Sequence, residues 1–184
     1  IEMDDLTGVG AYSMYPRTSA LEALQVINYV GAPYTHQNYK ARSRVVFQNK
    51  TPMSQYRAVG HPVAVAITET LMDEGARALG MDPVDIRRRN LMPDDGYPCE
   101  FITGLKMEAL SHEASLDKLL TMFDYKGFRA EQAELREKGI YRGIGFATLV
   151  EMTNPGPHTY GLGGARISSQ DGAAARMDAS GAVI

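Results

Sequence analysis

The strongest periodic pattern of apolar residues lies between Pro62 and Leu79, where they recur every three or four positions on one helical face. Pro62 suits the first turn of a helix, and Gly80 suits the position just after the last turn. Asp82 then has the character of an N-cap residue followed by proline, which indicates a second, short helix ending near Leu91. The pattern therefore predicts two consecutive helices.

Weaker patterns predict the other elements. The helices are expected at 18–30, at 115–123 with Ser115 as N-cap, and at 127–138 with Gly139 closing the last turn. Strand-like alternation covers 8–15, 34–48, 141–151, 160–168 and 173–177, and a Pro- and Gly-rich excursion with a short extended piece near Phe101 covers 92–113. This order predicts one α/β (α+β) unit with helices packed on a mixed sheet.

Composition narrows the class of protein. The 184 residues include 22 acidic and 19 basic ones, for a formal net charge of −3, and 44% are hydrophobic. This is a globular composition, and without clustered Lys and Arg we expect no nucleic-acid partner. The lone Cys99 forms no internal disulfide, and no apolar run reaches the length of a membrane span, so we expect a cytoplasmic protein with no membrane partner.

The ends of the sequence indicate a piece of a longer chain. The sequence begins at Ile1 without an initiator Met and stops at Ile184 within a strand-like run. We therefore expect residues 1–184 to form a single segment that is incomplete at both ends.

The loop before the best helix carries the main candidate chemistry. Arg57 and His61 lie in this loop, and Gly60 allows a close approach of the backbone. Backbone N–H groups at the positive end of a helix, together with a guanidinium group, suit an oxyanion or phosphate. The simpler interpretation is an arginine tied to backbone carbonyls or to a surface carboxylate.

Other candidate residues favour structural roles. His36, His112 and His158 lack metal-ligand spacing, and Cys99 has no nearby base, so packing histidines and an unreactive thiol are expected. The run Arg87-Arg88-Arg89 points in three directions on a short helix, which favours salt bridges over one anion site. Glu151, followed by a glycine-rich stretch, either lines a cleft or only precedes a turn.

Taken together, these motifs resemble a known family in their order and spacing. The sequence is similar to the molybdenum-binding large subunit of the xanthine dehydrogenase, aldehyde oxidase and carbon monoxide dehydrogenase family. The resemblance is carried by Gly31-Ala32-Pro33-Tyr34, Asn49-Lys50-Thr51-Pro52, Tyr56-Arg57-Ala58-Val59-Gly60-His61-Pro62, Met72-Asp73-Glu74, Leu79-Gly80-Met81-Asp82-Pro83, Arg87-Arg88-Arg89-Asn90, and Tyr141-Arg142-Gly143-Ile144-Gly145 with Glu151.

The resemblance implies a function for the complete subunit. Such enzymes oxidise an aldehyde or N-heterocycle with oxygen from water, or oxidise carbon monoxide, at a molybdenum bound by molybdopterin or its cytosine dinucleotide form. Electrons leave through iron–sulfur and FAD subunits or domains, which would be partners of this chain together with the remaining segments of the large subunit. The chain would form part of the molybdenum-cofactor-binding domain.

The resemblance also assigns roles to individual residues. Arg57 would be catalytic, and it would contact the cofactor together with Tyr56, Ala58 and Gly60, with no protein side chain ligating the metal. The substrate pocket would include Val59, Gln25 and Glu151. Val59 replaces the stacking aromatic of purine oxidisers, Gln25 replaces an arginine of xanthine oxidisers, and Ala58 replaces the copper-binding cysteine of carbon monoxide enzymes.

Three motifs of the family have no counterpart in the sequence. They are the upstream glycine-rich pterin motif, the downstream cofactor loop and the later glutamate that acts as general base. We therefore expect the isolated chain to bind no cofactor and to be inactive. Two alternatives stay open, a non-catalytic structural fragment and a small anion- or nucleotide-binding module built on the Gly60 helix start.

Overall fold

The computed structural model describes residues 1–11, 21–52, 56–152 and 172–183. It is a mixed α/β structure, as the sequence predicts. Its strands are β1 (Glu2–Val9), β2 (Lys40–Phe47), β3 (Cys99–Glu100) and β4 (Lys106–Met107), and its helices are α1 (Leu21–Tyr29), α2 (His61–Leu79), α3 (Pro83–Asn90), α4 (His112–Met122) and α5 (Tyr125–Glu137).

The strands of the described residues form two separate pairs rather than one mixed sheet. β1 and β2 are parallel, with Glu2 opposite Lys40 and Val9 opposite Phe47, while β3 and β4 are antiparallel. A parallel pair needs a crossover between its strands, and α1 lies in that crossover. The predicted strand at 8–15 is wrong in its bounds, because the strand begins at Glu2 and ends at Val9.

Helices α2 and α3 confirm the prediction made from local signals. α2 ends at Gly80, which has φ 63° in the left-handed region where glycine carries no steric cost. The side chain of Asp82 accepts a hydrogen bond from the Val84 N–H at 2.8 Å, so Asp82 is the N-cap of α3.

The start of α4 corrects a predicted cap. The helix begins at His112, after Ser111, rather than at Ser115. Its first amides bind the carboxylate of Asp94, which accepts hydrogen bonds from Glu113 N–H and Ala114 N–H at 3.0 Å each. A distant aspartate therefore caps α4, and sequence-local reasoning has no means of finding it.

Within the ranges that the structure describes, buried apolar residues form two clusters. The first joins α1, the start of α2 and the β3–β4 hairpin, and the second joins α3, α4 and the residues after α1. Ala64 is fully buried in the first cluster. The loop before α2 therefore leads directly into the first cluster.

Residues 140–152 correct another prediction. Exposure alternates along 144–152 with a period of two, so that Ile144, Phe146, Thr148 and Val150 face inward. The structure nevertheless has no strand in this segment. Among 172–183, a single antiparallel bridge joins Met177 and Val183, so the predicted strand at 173–177 is also absent there, and the one at 160–168 lies outside the described residues.

Candidate functional site

The loop at 56–60 has an unusual backbone. Ala58 and Val59 have φ values of 71° and 54°, in the left-handed region that residues with a Cβ seldom adopt. Such conformations cost on the order of 1–3 kcal/mol each and persist where the surroundings enforce them. The sequence gives no sign of this strain, because glycine, the usual residue for such a backbone, stands at neither position.

Helix α1 holds this loop at Gly60. The Gly60 N–H donates to Oε1 of Gln25 at 2.8 Å. A Cβ added at Gly60 would lie 2.4 Å from the Glu22 carbonyl oxygen and 2.8 Å from the Gln25 Cβ. The close approach predicted for Gly60 is therefore made to α1, and the Gln25 side chain reaches the loop backbone.

His61 holds the loop from the other side. It is 4% exposed, and its Nδ1 lies 2.8 Å from the Ala58 carbonyl oxygen. The His61 backbone N–H donates to the same oxygen at 3.0 Å, and the imidazole ring packs on Tyr29 with 4.2 Å between the ring centroids. The amides of Gly60 and His61 thus bind protein acceptors at the helix start.

Arg57 lies on the outer side of this fixed loop. Its side chain is exposed, as is Tyr56, which is 83% exposed. Within the described ranges, the Arg57 guanidinium makes no hydrogen bond or ion pair. The loop therefore presents a positive charge that has no partner among the described residues, with Ala58 and Val59 half-buried beside it.

Glu151 lies in the segment 140–152, which the structure places outside any helix or strand and which we call the extended segment. Its side chain is exposed, whereas the next residue, Met152, is half-buried against the first apolar cluster. The Met152 N–H donates to Nε2 of His61 at 3.4 Å. This contact brings the backbone next to Glu151 and the backbone of the Arg57 loop onto the same imidazole ring.

The arginine run confirms the prediction of salt bridges. Arg87 is fully buried, and its guanidinium pairs with Glu69 at 2.7 Å and with Asp73 at 2.9 Å. It also donates to the Phe146 carbonyl oxygen at 3.1 Å. Burial lowers the pKa of Arg87, but the hydrogen bond and charge of Glu69 and the hydrogen bond with Asp73 together raise it by more, so the net shift is upward. Arg88 pairs with Asp117 at the surface.

The remaining candidates have structural surroundings. Cys99 is half-buried and burial raises the pKa of its thiol, the opposite of the shift that activates a nucleophile. His36 packs against Tyr39, and His158 lies outside the described residues. In the part of the chain that the structure describes, no group of three or more His, Cys, Asp and Glu residues could hold a metal ion, and no helix is long and apolar enough to cross a membrane.

A large apolar groove that the sequence did not predict lies away from the Arg57 loop. Its volume is about 590 Å³, and α4 and residues 144–149 form its walls, with Leu116, Phe123 and Phe146 in the lining. The sequence shows apolar periodicity in both walls of this groove, in α4 and in residues 144–149. These two stretches lie 20 to 30 positions apart, and no local pattern indicates that they face each other.

The fold is that of a molybdenum-cofactor-binding domain, by comparison with known proteins. Residues 1–91 match the molybdopterin cofactor-binding domain family. The crystal structure of quinoline 2-oxidoreductase from Pseudomonas putida 86 superposes with a TM-score of 0.80 at 30% identity, covering 98% of this chain and 23% of that one.

Curated relatives agree with this assignment. The chain is 32% identical to the nicotine 6-hydroxylase large subunit of Paenarthrobacter nicotinovorans, over 95% of this chain and 21% of the relative. It is 29% identical to the xanthine dehydrogenase molybdenum-binding subunit of Escherichia coli O157:H7, over 92% of this chain and 22% of the relative. The chain thus spans between a fifth and a quarter of the length of these relatives. It belongs to the xanthine dehydrogenase, aldehyde oxidase and carbon monoxide dehydrogenase family, as a molybdopterin-binding segment.

Proposed function

We propose that this chain supplies the Arg57 loop and part of the substrate-pocket wall to the large subunit of a molybdenum hydroxylase. The complete enzyme would oxidise an aldehyde or an N-heterocycle with oxygen derived from water. The observation that carries the proposal is the loop itself. Gln25 and His61 hold Ala58 and Val59 in a strained backbone, while the Arg57 guanidinium stays exposed. Strain that the surroundings maintain is concentrated at functional sites.

A molybdenum-pterin cofactor fits this loop by charge and by hydrogen-bonding capacity. Arg57 offers up to five N–H donors and a permanent positive charge, which suit an anionic, oxygen-rich group. Tyr56, Ala58 and Gly60 would line the same contact, either with molybdopterin or with its cytosine dinucleotide form. When bound, the cofactor supplies the redox chemistry of the hydroxylation. Arg57, as the catalytic residue of this segment, would stabilise negative charge that develops beside it.

The pocket wall would be formed by Val59, Gln25 and Glu151. Val59 presents a small aliphatic side chain, which favours substrates that do not depend on aromatic stacking. Gln25 would act mainly through the Gly60 amide that it binds. Glu151, exposed on the outer face of the extended segment, would provide a carboxylate at the edge of the pocket.

The chain would function only together with other segments. We propose that residues 1–184 form one segment and that the remaining large-subunit segments supply the pterin-binding motifs and the general base. Iron–sulfur and FAD subunits would accept the electrons. The proposal is supported by length, because the chain spans only 21% of the nicotine 6-hydroxylase large subunit. It is also supported by a further relative at 26% identity, which is named as subunit gamma of the 6-hydroxypseudooxynicotine dehydrogenase complex of Paenarthrobacter nicotinovorans. The isolated chain would be inactive and would retain no cofactor.

A complementation experiment tests the proposal. The purified chain is combined with the remaining part of a related large subunit and its iron–sulfur and FAD subunits, and molybdenum-dependent oxidation of aldehydes and N-heterocycles is measured. The matched variants are Arg57→Ala and Arg89→Ala, because Arg89 is also an exposed arginine but lies on α3. Molybdenum and pterin are measured in the chain alone and in the complex.

Each outcome has a defined meaning. Activity with the wild-type chain and with Arg89→Ala, and its loss with Arg57→Ala, supports the proposal. An unchanged rate with Arg57→Ala excludes the role of Arg57. Stoichiometric molybdenum in the isolated chain contradicts the expectation that it binds no cofactor, and a complex that binds no molybdenum favours a structural fragment.

A further inference from the structure

The segment that carries Glu151 is held by side chains rather than by a neighbouring strand. Within the described residues, the backbone of 140–152 pairs with no strand, yet several of its polar groups are bound. Near Glu151, two histidines make these contacts. His112 binds the Leu149 carbonyl oxygen at 3.1 Å, and His61 binds the Met152 amide at 3.4 Å. These residues lie on either side of Glu151.

The partners of His61 determine which of its nitrogens carries the proton. The Ala58 carbonyl oxygen only accepts hydrogen bonds, so the Nδ1 atom that faces it at 2.8 Å must be protonated. The Met152 N–H only donates, so the Nε2 atom that faces it must offer a lone pair. Both contacts are satisfied by the tautomer of His61 that has its proton on Nδ1 and a lone pair on Nε2. In this form alone, the ring connects the loop to residues 151–152.

His112 has the opposite arrangement. Its Nε2 faces the Leu149 carbonyl oxygen, so that nitrogen is the donor. Its Nδ1 lies 3.2 Å from the Tyr97 hydroxyl, which can donate to it. The neutral ring with its proton on Nε2 satisfies both contacts. One histidine thus donates to the segment before Glu151 and the other accepts from the segment after it.

We propose that His61 and His112 are positioning residues that fix the Glu151 segment relative to the Arg57 loop. His61 has the central part, because a single buried ring fixes both the strained Ala58 backbone and the Met152 amide. The relevance to catalysis rests on the proposed function, but the positioning itself is a property of this chain. The ring stack on Tyr29 is a separate contribution, since it requires an aromatic ring but no nitrogen.

Three substitutions separate these contributions at His61. His61→Gln places an amide oxygen near Nε2 and keeps an acceptor for the Met152 N–H. His61→Asn places an amide N–H near Nδ1 and keeps a donor for the Ala58 oxygen. His61→Phe keeps an aromatic ring against Tyr29 and removes both hydrogen bonds. A residue that acts only by packing would be replaced best by Phe.

The first measurement is made on the wild-type chain. Long-range proton–nitrogen correlation spectra of the ¹⁵N-labelled protein at neutral pH report the tautomer of each imidazole. We expect the proton on Nδ1 of His61 and on Nε2 of His112. A His61 ring with its proton on Nε2, or a ring exchanging freely between tautomers, overturns the proposal without any variant having to fold.

The second measurement is hydrogen exchange at the Met152 amide in the same chain. His61→Phe should lower its protection about fivefold to tenfold, as the loss of one net hydrogen bond predicts, and His61→Gln should restore most of it. His61→Asn should resemble His61→Phe. Equal protection in the wild type and in His61→Phe overturns the proposal. Neither measurement depends on the cofactor, so failure here is distinct from failure of the Arg57→Ala experiment.

Discussion

Substitution of Arg87 by methionine should destabilise the chain strongly. Methionine fills a similar volume but removes a guanidinium that is fully buried and pairs with Glu69 and Asp73. Glu69 is only 6% exposed and, among the described residues, would keep only the Tyr34 hydroxyl at 2.7 Å as a hydrogen-bond donor. Removing one partner of a buried ion pair costs about 3–5 kcal/mol, because the other charge is left uncompensated.

The matched control is Arg88→Met on the same helix. The side chains of Arg88 and Asp117 are 46% and 56% exposed, and such a surface pair contributes about 0–1 kcal/mol. Urea unfolding followed by far-UV circular dichroism measures both variants. With a slope of about 2 kcal/mol per molar urea, Arg87→Met should lower the midpoint by about 1.5–2.5 M and Arg88→Met by less than about 0.5 M.

A double-mutant cycle tests the cause of this loss. If the cost comes from the unpaired Glu69 carboxylate, Arg87→Met should cost clearly less in a Glu69→Gln background than in the wild type. Equal midpoint shifts for Arg87→Met and Arg88→Met, or a cost of Arg87→Met that is independent of Glu69, would refute the reasoning.

Three further predictions concern the loop and α5. Gly60→Ala should destabilise the chain by about 1–3 kcal/mol, because its Cβ would lie 2.4 Å from the Glu22 carbonyl oxygen, whereas Gly145→Ala, with no atom within 4 Å, should be nearly neutral in the same urea assay. Val59→Gly should leave the chain about 1 kcal/mol more stable than Val59→Ala, because only glycine adopts the left-handed backbone without cost, and a Gly variant less stable than the Ala variant would contradict the strain. Burial and the hydrogen bond to Asp82 raise the pKa of Tyr125 to about 12. The stability that the neutral phenol contributes below pH 10 should therefore be lost as the pH rises from about 10 to about 12. In urea unfolding measured across that range, Tyr125→Phe should show a smaller loss of stability.

The sequence predicts the helix ends that are marked by residues at those ends. Pro62, Gly80 and Asp82 mark helix ends by their own backbone chemistry, and the structure has α2 and α3 where they place them. The cap of α4 could not be predicted, because the carboxylate that binds its first amides belongs to Asp94, at least 19 positions away.

The extended segment shows a different limit. The strand predicted at 141–151 is absent, although side-chain exposure does alternate along 144–152. Alternation does not distinguish a strand from an extended chain whose backbone is bound by side chains such as Arg87 and His112. That distinction depends on helices that are far away in the sequence.

The candidate site is a prediction from its motif, and the sequence carries no information on its geometry. The resemblance assigns the loop at 56–60 and the residues Gln25 and Glu151 to that site. The geometry of the site depends on groups that folding brings together. These are the left-handed backbone of Val59, the hydrogen bond from Gly60 to Gln25 and the two contacts of His61. Periodicity carries no information about such contacts, since they join residues up to 91 positions apart.

The most direct test of the proposed function is the rate of molybdenum-dependent oxidation by the complemented enzyme carrying Arg57→Ala. The loss of a charge-stabilising group at a reaction centre commonly lowers kcat about 10²- to 10³-fold. We expect a decrease of this size for Arg57→Ala with molybdenum still bound, and a wild-type rate for Arg89→Ala. Equal rates for the two variants would contradict it.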